Sequence, residues 1–457
     1  MAGFKRCVGF AWVAFFLVGA GPVTLVESNR LGSCSKVTVG LKAEGLYRPS
    51  PPPGAAKGDF PKPLALKVET RLEFVERLWK SGGQGEKGAD VAVRRVYRAA
   101  SAINGEVRPS SAVLRPEVGL LLAEPKVEGV VVTSLGGPLT RSELELVQAP
   151  GDPLSLAPLL PVRPVELGDR WKVGESAARG LSAYDSLKTN GLQATLTSVD
   201  DNRAVVQFKG VIRGNVLGAE GTMTCEGTYT FDRKASRISE LTVDRSETRV
   251  AGPVEAGLDM KSKLTVNRAD APTPKELTDE VLDTFSTKPD PNRELLLLTL
   301  SEGKATLIHD RSWHTYWDDV RLTVLKRLEG NDVVAQCNLS TGPNAGKGRH
   351  QDIDQFRADI KKGLAGRFSQ FLGAGELEAE TDTAVGFRYK VGVQGKQGDL
   401  GVIWYYYLLA GPEGDQLLGT FTLAANRFQS FGDNDERLMG SIHWITPTSA
   451  AAASGSP

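Results

Sequence analysis

The stretch that decides the fold of this chain is residues 222–231, with the sequence TMTCEGTYTF. In an extended chain Met223, Cys225, Tyr229 and Phe231 point to one face, and the threonines point to the other. This alternation predicts a strand with one buried and one solvated face, which is typical of an antiparallel sheet.

The same alternation continues on both sides of this stretch. Further predicted strands lie at 64–78, 91–97, 192–199, 204–212 and 238–250. The polar triplet Asp200-Asp201-Asn202 separates two of them in the manner of a hairpin. No long helix is indicated before residue 268, so we predict an all-β domain over residues 63–268, as a curved antiparallel sheet or a sandwich.

The pattern changes between residues 269 and 291. Thr273 is suited to cap a helix, Pro274 to occupy its first position, and Glu276 to complete a capping box. Pro289 lies just past the apolar positions of this helix. We therefore predict a linker with a short helix over residues 269–291.

Residues 292–446 combine predicted strands with two helices. Apolar residues recur at spacings of three and four over 353–372, which predicts a long helix, and a second helix is predicted over 428–439. Residues 401–409 are apolar on both faces, as expected of a central strand covered on both sides. The prediction is an α/β/α sandwich with a mainly antiparallel sheet.

This C-terminal part resembles the PsbP-like family. The resemblance rests on the element order and on four segments: Arg311-Ser312-Trp313, Ala335-Gln336-Cys337-Asn338, Trp404-Tyr405-Tyr406 and Phe431-Gly432-Asp433-Asn434-Asp435. It implies the α/β/α fold and protein binding, with no shared catalytic residues. The N-terminal domain is similar, through residues 164–171, to uncharacterised β-rich domains of exported bacterial proteins.

The N-terminus has the three parts of a secretory signal. Lys5 and Arg6 precede an apolar run over 8–20, which ends in the small residues Val18-Gly19-Ala20. We predict a signal peptide over residues 1–20 and an exported bacterial protein of the periplasm or the exterior. Two alternatives stay open: an uncleaved anchor extended by the apolar residues 23–26, and a lipoprotein modified at Cys34.

Low-complexity segments flank the predicted domains. Residues 21–62 contain a proline-rich stretch and are predicted to form a disordered linker. Residues 447–457 consist mostly of Ser, Ala, Gly and Pro, which have nothing large to bury, and are predicted to form a disordered tail.

Charge excludes one class of partner. The chain has 55 Lys and Arg residues and 55 Asp and Glu residues, so its formal net charge is zero. Nucleic-acid binding, which needs a basic surface, is therefore not expected. A membrane is expected as a partner only if the signal sequence is retained.

The cysteines do not form a disulfide framework. Three of the four, Cys34, Cys225 and Cys337, lie outside the predicted signal, and they are far apart in sequence. Cys225 and Cys337 lie in phase with apolar residues of predicted strands. We therefore predict two buried thiols, and no nucleophile at Cys337.

For the other candidate sites, a structural role explains the residues better than a functional role does. His309, Asp310 and His314 could ligate a metal ion, but their spacing favours surface or loop histidines. Residues 342–348 have only three residues between the glycines of a phosphate loop, and Gly348 stands where the motif needs Ser or Thr.

Aromatic and acidic clusters are also interpreted as structural. The aromatic residues Trp313, Tyr316, Trp317 and 404–407 are predicted to fill a core rather than to line a cleft. Nothing places Glu376 opposite Glu378 as a glycosidase pair would require, so these two are predicted to lie in a solvated loop.

These observations predict function only at the level of class. No catalytic, metal-binding or cofactor-binding residue is assigned, and binding residues are not identifiable. The hypothesis is an exported cell-envelope protein that binds a protein or lipid partner without catalysis. The alternatives are an envelope hydrolase whose residues meet only in three dimensions, and a carrier that holds an apolar ligand in its N-terminal domain.

Overall fold

The computed structural model describes residues 21–445 except 29, 53–60, 81–89, 128, 287, 289, 301–303 and 378–385. The predicted signal peptide and the predicted C-terminal tail therefore lie outside the described residues. No helix within the described part of the chain has the length and apolar character needed to cross a membrane.

Residues 34–270 build a thirteen-stranded sheet, here called the large sheet. The spatial order of its strands is β6-β5-β3-β2-β1-β14-β13-β12-β11-β10-β8, with β4 beside β3 and β9 beside β11. Its strands are β1 (Cys34–Arg48), β2 (Leu64–Lys80), β3 (Asp90–Gly105), β4 (Ser110–Val113), β5 (Leu120–Lys126), β6 (Gly129–Ser134), β8 (Arg170–Lys172), β9 (Ser186–Asn190), β10 (Gln193–Val199), β11 (Arg203–Val216), β12 (Ala219–Asp232), β13 (Arg237–Arg249) and β14 (Gly257–Asp270). Two helices accompany them, α1 (Arg141–Val147) and α2 (Glu175–Ser182). The alternation at 222–231 therefore predicted its strand correctly.

Two further sheets complete the fold. The small sheet contains β7 (Leu139–Thr140), β15 (Leu296–Leu300), β16 (Ala305–His309) and β24 (His443–Trp444). The seven-stranded sheet contains β17 (Trp313–Asp318), β18 (Leu322–Glu329), β19 (Asp332–Gly342), β20 (Phe368–Glu376), β21 (Phe387–Gln397), β22 (Leu400–Ala410) and β23 (Gln416–Ala424). Four helices lie along this part: α3 (Asp279–Leu282), α4 (Ile353–Leu364), α5 (Phe428–Phe431) and α6 (Asn434–Gly440).

The predicted fold class is wrong. The described residues are 55% strand and 16% helix, mainly all-β with three sheets, rather than an all-β domain followed by an α/β/α sandwich. One face of the seven-stranded sheet is covered by α4, but the other packs against the small sheet and the short helices α5 and α6. The small sheet also takes β7 from the N-terminal part, where it pairs in parallel with β15.

The long helix predicted over 353–372 is too long by two turns. It ends at Leu364, and residues 368–376 form the strand β20. The spacing of three between Phe368 and Phe371 resembles a helical period, but it arises in a strand whose pairing with β21 is shifted by bulges at both positions. The second predicted helix is split at Gly432, which adopts φ +58°.

Part of the predicted linker over 21–62 is also corrected. Val23 exchanges two backbone hydrogen bonds with Val165, and Leu25 is fully buried in the core of the large sheet. Residues 34–48 form β1, which lies between β2 and β14 in that sheet. The alternating residues Val37 and Val39 supply the buried face that a central strand needs.

The capping box predicted at Thr273 does not form. The only α-helix among the described residues of this linker is the four-residue α3, which begins at Asp279. The hydroxyl of Thr273 instead lies 3.4 Å from the thiol of Cys34, at the start of β1. The threonine therefore joins the linker to the large sheet.

The end of α4 offers a test of backbone strain. Ala365 adopts φ +46° and ψ −125°, a region that glycine occupies far more readily than alanine. We expect Ala365→Gly to raise the free energy of unfolding by about 1 kcal/mol. The matched control Ala358→Gly, on the exposed side of α4, should lower it by about 1 kcal/mol. Urea unfolding measures both changes, and a loss of stability in both variants would contradict the strain.

Candidate functional site

Two of the cysteines lie where the sequence predicted. Cys225 in β12 and Cys337 in β19 have no exposed surface. Cys34, which was assigned to the linker, is instead buried at the start of β1. All three are free thiols. Burial raises the pKa of Cys225 to about 11 and raises that of Cys337 well above its ordinary value. A nucleophilic role needs the thiolate, so neither thiol is suited to catalysis.

This burial predicts slow chemical labelling. In native protein at neutral pH we expect Cys225 and Cys337 to resist iodoacetamide, because the reagent needs both access and a thiolate. Both should be alkylated after unfolding in urea, and peptide mass spectrometry identifies each site. Native labelling of either residue at the rate of a free thiol would contradict the packing.

The histidines are more buried than predicted. His309 at the end of β16 and His314 in β17 are 5% and 7% exposed, so their assignment to the surface or a loop is wrong. The guanidinium of Arg141 donates to the carbonyls of Arg311 and Trp313 in the connection between these strands, at 3.1 and 3.0 Å. Burial, with the positive charge of Arg141, lowers the pKa of His314 to about 4.

The aromatic residues mostly fill the core as predicted. Trp313, Tyr407 and Trp404 are at most 4% exposed, and Trp313 packs edge-on against Phe421 with ring centroids 6.0 Å apart. Tyr316 is only half-buried; its hydroxyl donates to the carbonyl of Pro51 at 2.8 Å. These residues therefore support the packing of the sheets rather than a ligand cleft.

The remaining candidates are not brought together. Among the described residues, no group of three His, Cys, Asp or Glu side chains is placed to hold a metal ion. The glycine-rich segment 342–348 is a surface connection whose Asn344 binds the carbonyl of Glu413. Glu376 ends β20 and is exposed, and Glu378 lies outside the described residues.

A different site emerges at the junction of the large sheet with the C-terminal part. A concavity of about 400 Å³, here called the junction cleft, lies between α1, α2, the β11–β12 turn and the loop after β13. Its charged lining residues are Arg141, Glu145, Asp152, Arg179, Asp185, Arg249 and Glu255. The volume lies within the range of small-ligand sites.

Tyr184 lies beneath this cleft. Helix α2 ends at Ala183 in the left-handed conformation, with φ +57°, and this reverses the chain into Tyr184. The ring covers Gly214 and Gly221, which face each other across β11 and β12; a Cβ at either would come within 2.7 Å of it. The tyrosine is 1% exposed, and its hydroxyl has no hydrogen-bond partner among the described residues.

The acidic side chains of the cleft are incompletely paired. Glu255 accepts from Arg249 at 3.3 Å, and Arg249 also binds Glu247 at 2.8 Å. Asp185 accepts only the backbone N–H of Leu217, at 2.6 Å. Glu145 makes no hydrogen bond or ion pair with another described residue, because Arg141, one helical turn away, is turned to backbone carbonyls.

The charges of the cleft balance in number but not in pairing. Asp152 is neutralised by Arg94, which it binds with both oxygens. The other carboxylates of the lining are those of Glu145, Asp185 and Glu255, and the guanidinium groups are those of Arg141, Arg179 and Arg249. Arg141 is turned to backbone carbonyls and Arg249 is shared with Glu247 outside the lining, so Glu145 and Asp185 have no ion-pair partner among the described residues.

The pKa values agree with this incomplete pairing. The side chains of Glu145 and Asp185 are exposed to solvent, but the neighbouring residues of the cleft exclude water from part of each carboxyl group. This partial burial is the main cause that raises the pKa of Glu145, Asp185 and Glu255. Repulsion adds to it, since Glu255 raises the pKa of Glu145, and Asp185 raises that of Glu255. A bound cation would relieve both effects.

No local pattern in the sequence indicates this site. Glu145 lies on α1, Asp185 follows α2, and Glu255 lies in the loop before β14, so no spacing links them. The site is marked instead by a backbone conformation. Leu217 and Gly218 both adopt positive φ in the turn between β11 and β12, and Asp185 accepts a hydrogen bond from the backbone N–H of Leu217.

A second concavity, the outer trough, crosses the solvent face of the large sheet with a volume of about 800 Å³. Its charges alternate and pair across strands, as in Lys42–Glu69 at 3.1 Å and Lys263–Asp244 at 3.4 Å. Each of these side chains is more than half exposed. We interpret the trough as a solvated, charge-balanced face.

Comparisons with known proteins do not identify a family. No family model matches the chain, and no curated protein matches it. They also give no evidence for the PsbP-like resemblance, which stays a prediction from the sequence.

Solved structures show only distant likeness. The Ran-binding protein Mog1p of Saccharomyces cerevisiae is 10% identical with a TM-score of 0.26, over 34% of this chain and 97% of its own. A lipovitellin structure, described for lipid–protein interactions, is 8% identical with a TM-score of 0.29, over 54% of this chain and 26% of its own. An outer membrane channel of Pseudomonas putida F1 is 8% identical with a TM-score of 0.13, over 87% of this chain and 97% of its own. Scores this low support no inference about this chain.

Proposed function

We propose that this chain is an exported cell-envelope protein that binds a protein partner without catalysis, and that the junction cleft receives a lysine or arginine side chain of that partner. The observation that carries the proposal is the incomplete pairing of the cleft carboxylates, since Glu145 and Asp185 have no ion-pair partner among the described residues. An ammonium or guanidinium group supplies a positive charge for them and several hydrogen-bond donors.

The fold supports export by a cleaved signal. Val23 and Leu25 belong to the core of the large sheet, so in the folded protein they are not free to extend the apolar run of residues 8–20. That run alone is shorter than the roughly 20 residues that a transmembrane helix needs, and it matches the apolar region of a signal peptide.

Export predicts a defined mature N-terminus. When the full chain is expressed in a Gram-negative host, we expect it in the periplasmic fraction with Gly21 as its first residue. Cell fractionation followed by N-terminal sequencing measures both. Recovery from the membrane fraction with residues 1–20 intact would support the anchor instead, and a lipid on Cys34 would support the lipoprotein.

The concavities favour a charged ligand over an apolar one. The core residues of β10–β14 are packed against α2 and the turns that precede β8, and charged side chains line both the junction cleft and the outer trough. A carrier would need a continuous unfilled apolar concavity. For the same reason we favour a protein partner over a lipid.

One observation keeps the hydrolase alternative testable. The junction cleft gathers carboxyl groups with raised pKa values, which is a property of general acids as well as of cation sites. The alternative predicts that a peptide bound in the cleft is cleaved, whereas the binding proposal predicts that it is recovered intact.

The proposal is tested by calorimetric titration of the mature protein with tetralysine at 0.15 M salt. We expect saturable binding with one site per chain, and a loss of affinity of about tenfold in Glu145→Gln, since a charge-assisted hydrogen bond is removed. The matched control is Glu240→Gln on the exposed face of β13, which should bind as the unsubstituted protein does.

Three results would overturn the proposal. These are an absence of saturable binding, an equal loss of affinity in both variants, and cleavage of the peptide as detected by mass spectrometry. A parallel titration with phosphatidylethanolamine vesicles separates a protein amine from a lipid amine. Stronger binding to the vesicles would replace the protein partner by a lipid.

A further inference from the structure

A polar pocket of about 480 Å³ lies beside the buried pair of Arg94 and Glu76, and we call it the arginine pocket. It is enclosed by the segment before β1, the β12–β13 turn and the turn at 153–155. Its charged lining residues include Glu27, Arg30, Glu76, Lys234, Arg237 and Arg268.

The floor of the pocket is a chain of alternating charges. Arg94 binds Glu76 at 3.2 Å, and the Nη1 of Arg268 donates to Glu27 at 2.7 Å while its Nη2 lies 3.9 Å from Glu76. Glu76 is 3% exposed, and the side chains of Glu27 and Arg268 are 8% and 11% exposed. These carboxylates are therefore held by partners within the protein.

The acceptors of the pocket are already used. Glu27 also accepts the backbone N–H of Ile238 at 3.0 Å. Asp232, at the edge of the pocket, accepts two backbone N–H groups of its own turn, from Lys234 and Ala235, both at 2.9 Å. A ligand that offers only donors would find few free acceptors here.

The donors of the pocket are not used to the same extent. Arg237 bonds through Nη1 alone, to the hydroxyl of Ser35 at 3.0 Å and to the exposed Asp270 at 2.9 Å. Its Nη2 makes no hydrogen bond with a described residue. Arg30 and Lys234 are exposed at the rim, and the cationic groups of both have no ion-pair partner within the part of the chain that the structure describes.

From this difference we infer that the arginine pocket is a binding site for a small molecule that carries a carboxylate or phosphate group, held between Arg237 and the rim cations Arg30 and Lys234. Guanidinium groups bind both anions with two parallel hydrogen bonds, and Lys234 adds a mobile positive charge. The volume accommodates a ligand larger than the anion itself. The site is independent of the junction cleft and of the function proposed for it.

The test compares two charge-matched double variants of the mature protein. Arg30→Gln with Lys234→Gln removes both rim cations. Lys209→Gln with Arg213→Gln removes one lysine and one arginine from the exposed face of β11. Inorganic phosphate and acetate are titrated into each protein by calorimetry at 0.15 M sodium chloride, and the thermal midpoint of unfolding is recorded without ligand.

We expect one saturable site for at least one of the two anions in the unsubstituted protein. Its affinity should fall about tenfold or more in the rim variant, because charge-assisted hydrogen bonds are lost, and should not change in the β11 variant. The thermal midpoint of the rim variant should stay unchanged, since its two side chains are exposed.

Two outcomes would overturn the inference. One is the absence of saturable binding of both anions. The other is an equal loss of affinity in the two variants, which shows that net charge alone attracts the ion. Comparison of phosphate with acetate decides which anionic group the site prefers.

Discussion

Replacing Arg94 by methionine is expected to lower the free energy of unfolding by about 3–5 kcal/mol. Arg94 is 1% exposed, binds Asp152 with two hydrogen bonds of 2.6 and 2.7 Å, and binds Glu76 at 3.2 Å. Its guanidinium also lies over the ring of Phe74 at 4.7 Å. Methionine fills a similar volume but leaves two buried carboxylates without their cation.

The pKa values agree with this assignment. Burial alone would lower the pKa of Arg94, but Asp152 and Glu76 outweigh it, and the pKa is raised. The pKa of Glu76 is raised by its burial, although Arg94 and Arg268 oppose the shift. Burial therefore already disfavours the charged form of Glu76, and loss of Arg94 would remove one of the two cations that offset this cost.

A second substitution separates charge from packing. Adding Glu76→Gln to Arg94→Met should recover part of the lost stability, because glutamine needs no counter-ion. The exposed pair offers the control: Lys42→Met should change stability by less than about 1 kcal/mol, since Lys42 and Glu69 are 76% and 66% exposed. A cost below 1 kcal/mol for Arg94→Met, measured by urea unfolding, would contradict the buried network.

Acidification is expected to destabilise the protein through His314 by about 3 kcal/mol. Burial and the charge of Arg141 lower the pKa of His314 from 6.5 to about 4. Between these values the unfolded chain binds a proton at this residue and the folded chain does not. The contribution of His314 to stability therefore falls as the pH drops below about 6.5, and it levels off below about 4.

The comparison with His314→Gln isolates this effect. Between pH 7.5 and pH 5 the unsubstituted protein should lose about 2 kcal/mol more than the glutamine variant, which carries no titratable group there. Denaturant unfolding at the two pH values gives the difference. Equal losses in both proteins would show that His314 is not held neutral.

The sequence predicts strands better than their assembly. Alternation at 222–231 is a direct consequence of one buried face, and it located β12. The same alternation exists in β1, at Val37 and Val39, but the prolines at 49–53 suggested a linker instead. At 368–371 two phenylalanines fitted a helical spacing, and only the bulged pairing with β21 distinguishes the strand.

The candidate site was not predictable from local patterns. Glu145, Asp185 and Glu255 meet only because α1, the end of α2 and the loop after β13 converge. Their pKa values rise because residues of other elements partly bury them. Such burial cannot be read from the spacing of residues in the sequence. Cys225 and Cys337 were predictable, since a small side chain in phase with an apolar face is buried whatever the partner sheet is.

Proton release on binding tests the proposed cation site most directly. A bound ammonium lowers the raised pKa values of Glu145, Asp185 and Glu255, so that binding expels protons at pH values where these carboxyl groups are partly protonated. Calorimetric titration with tetralysine over a series of mildly acidic pH values, each in two buffers of different ionisation enthalpy, counts these protons. We expect a net release that is reduced in Glu145→Gln. Binding without proton release, or no binding, would contradict it.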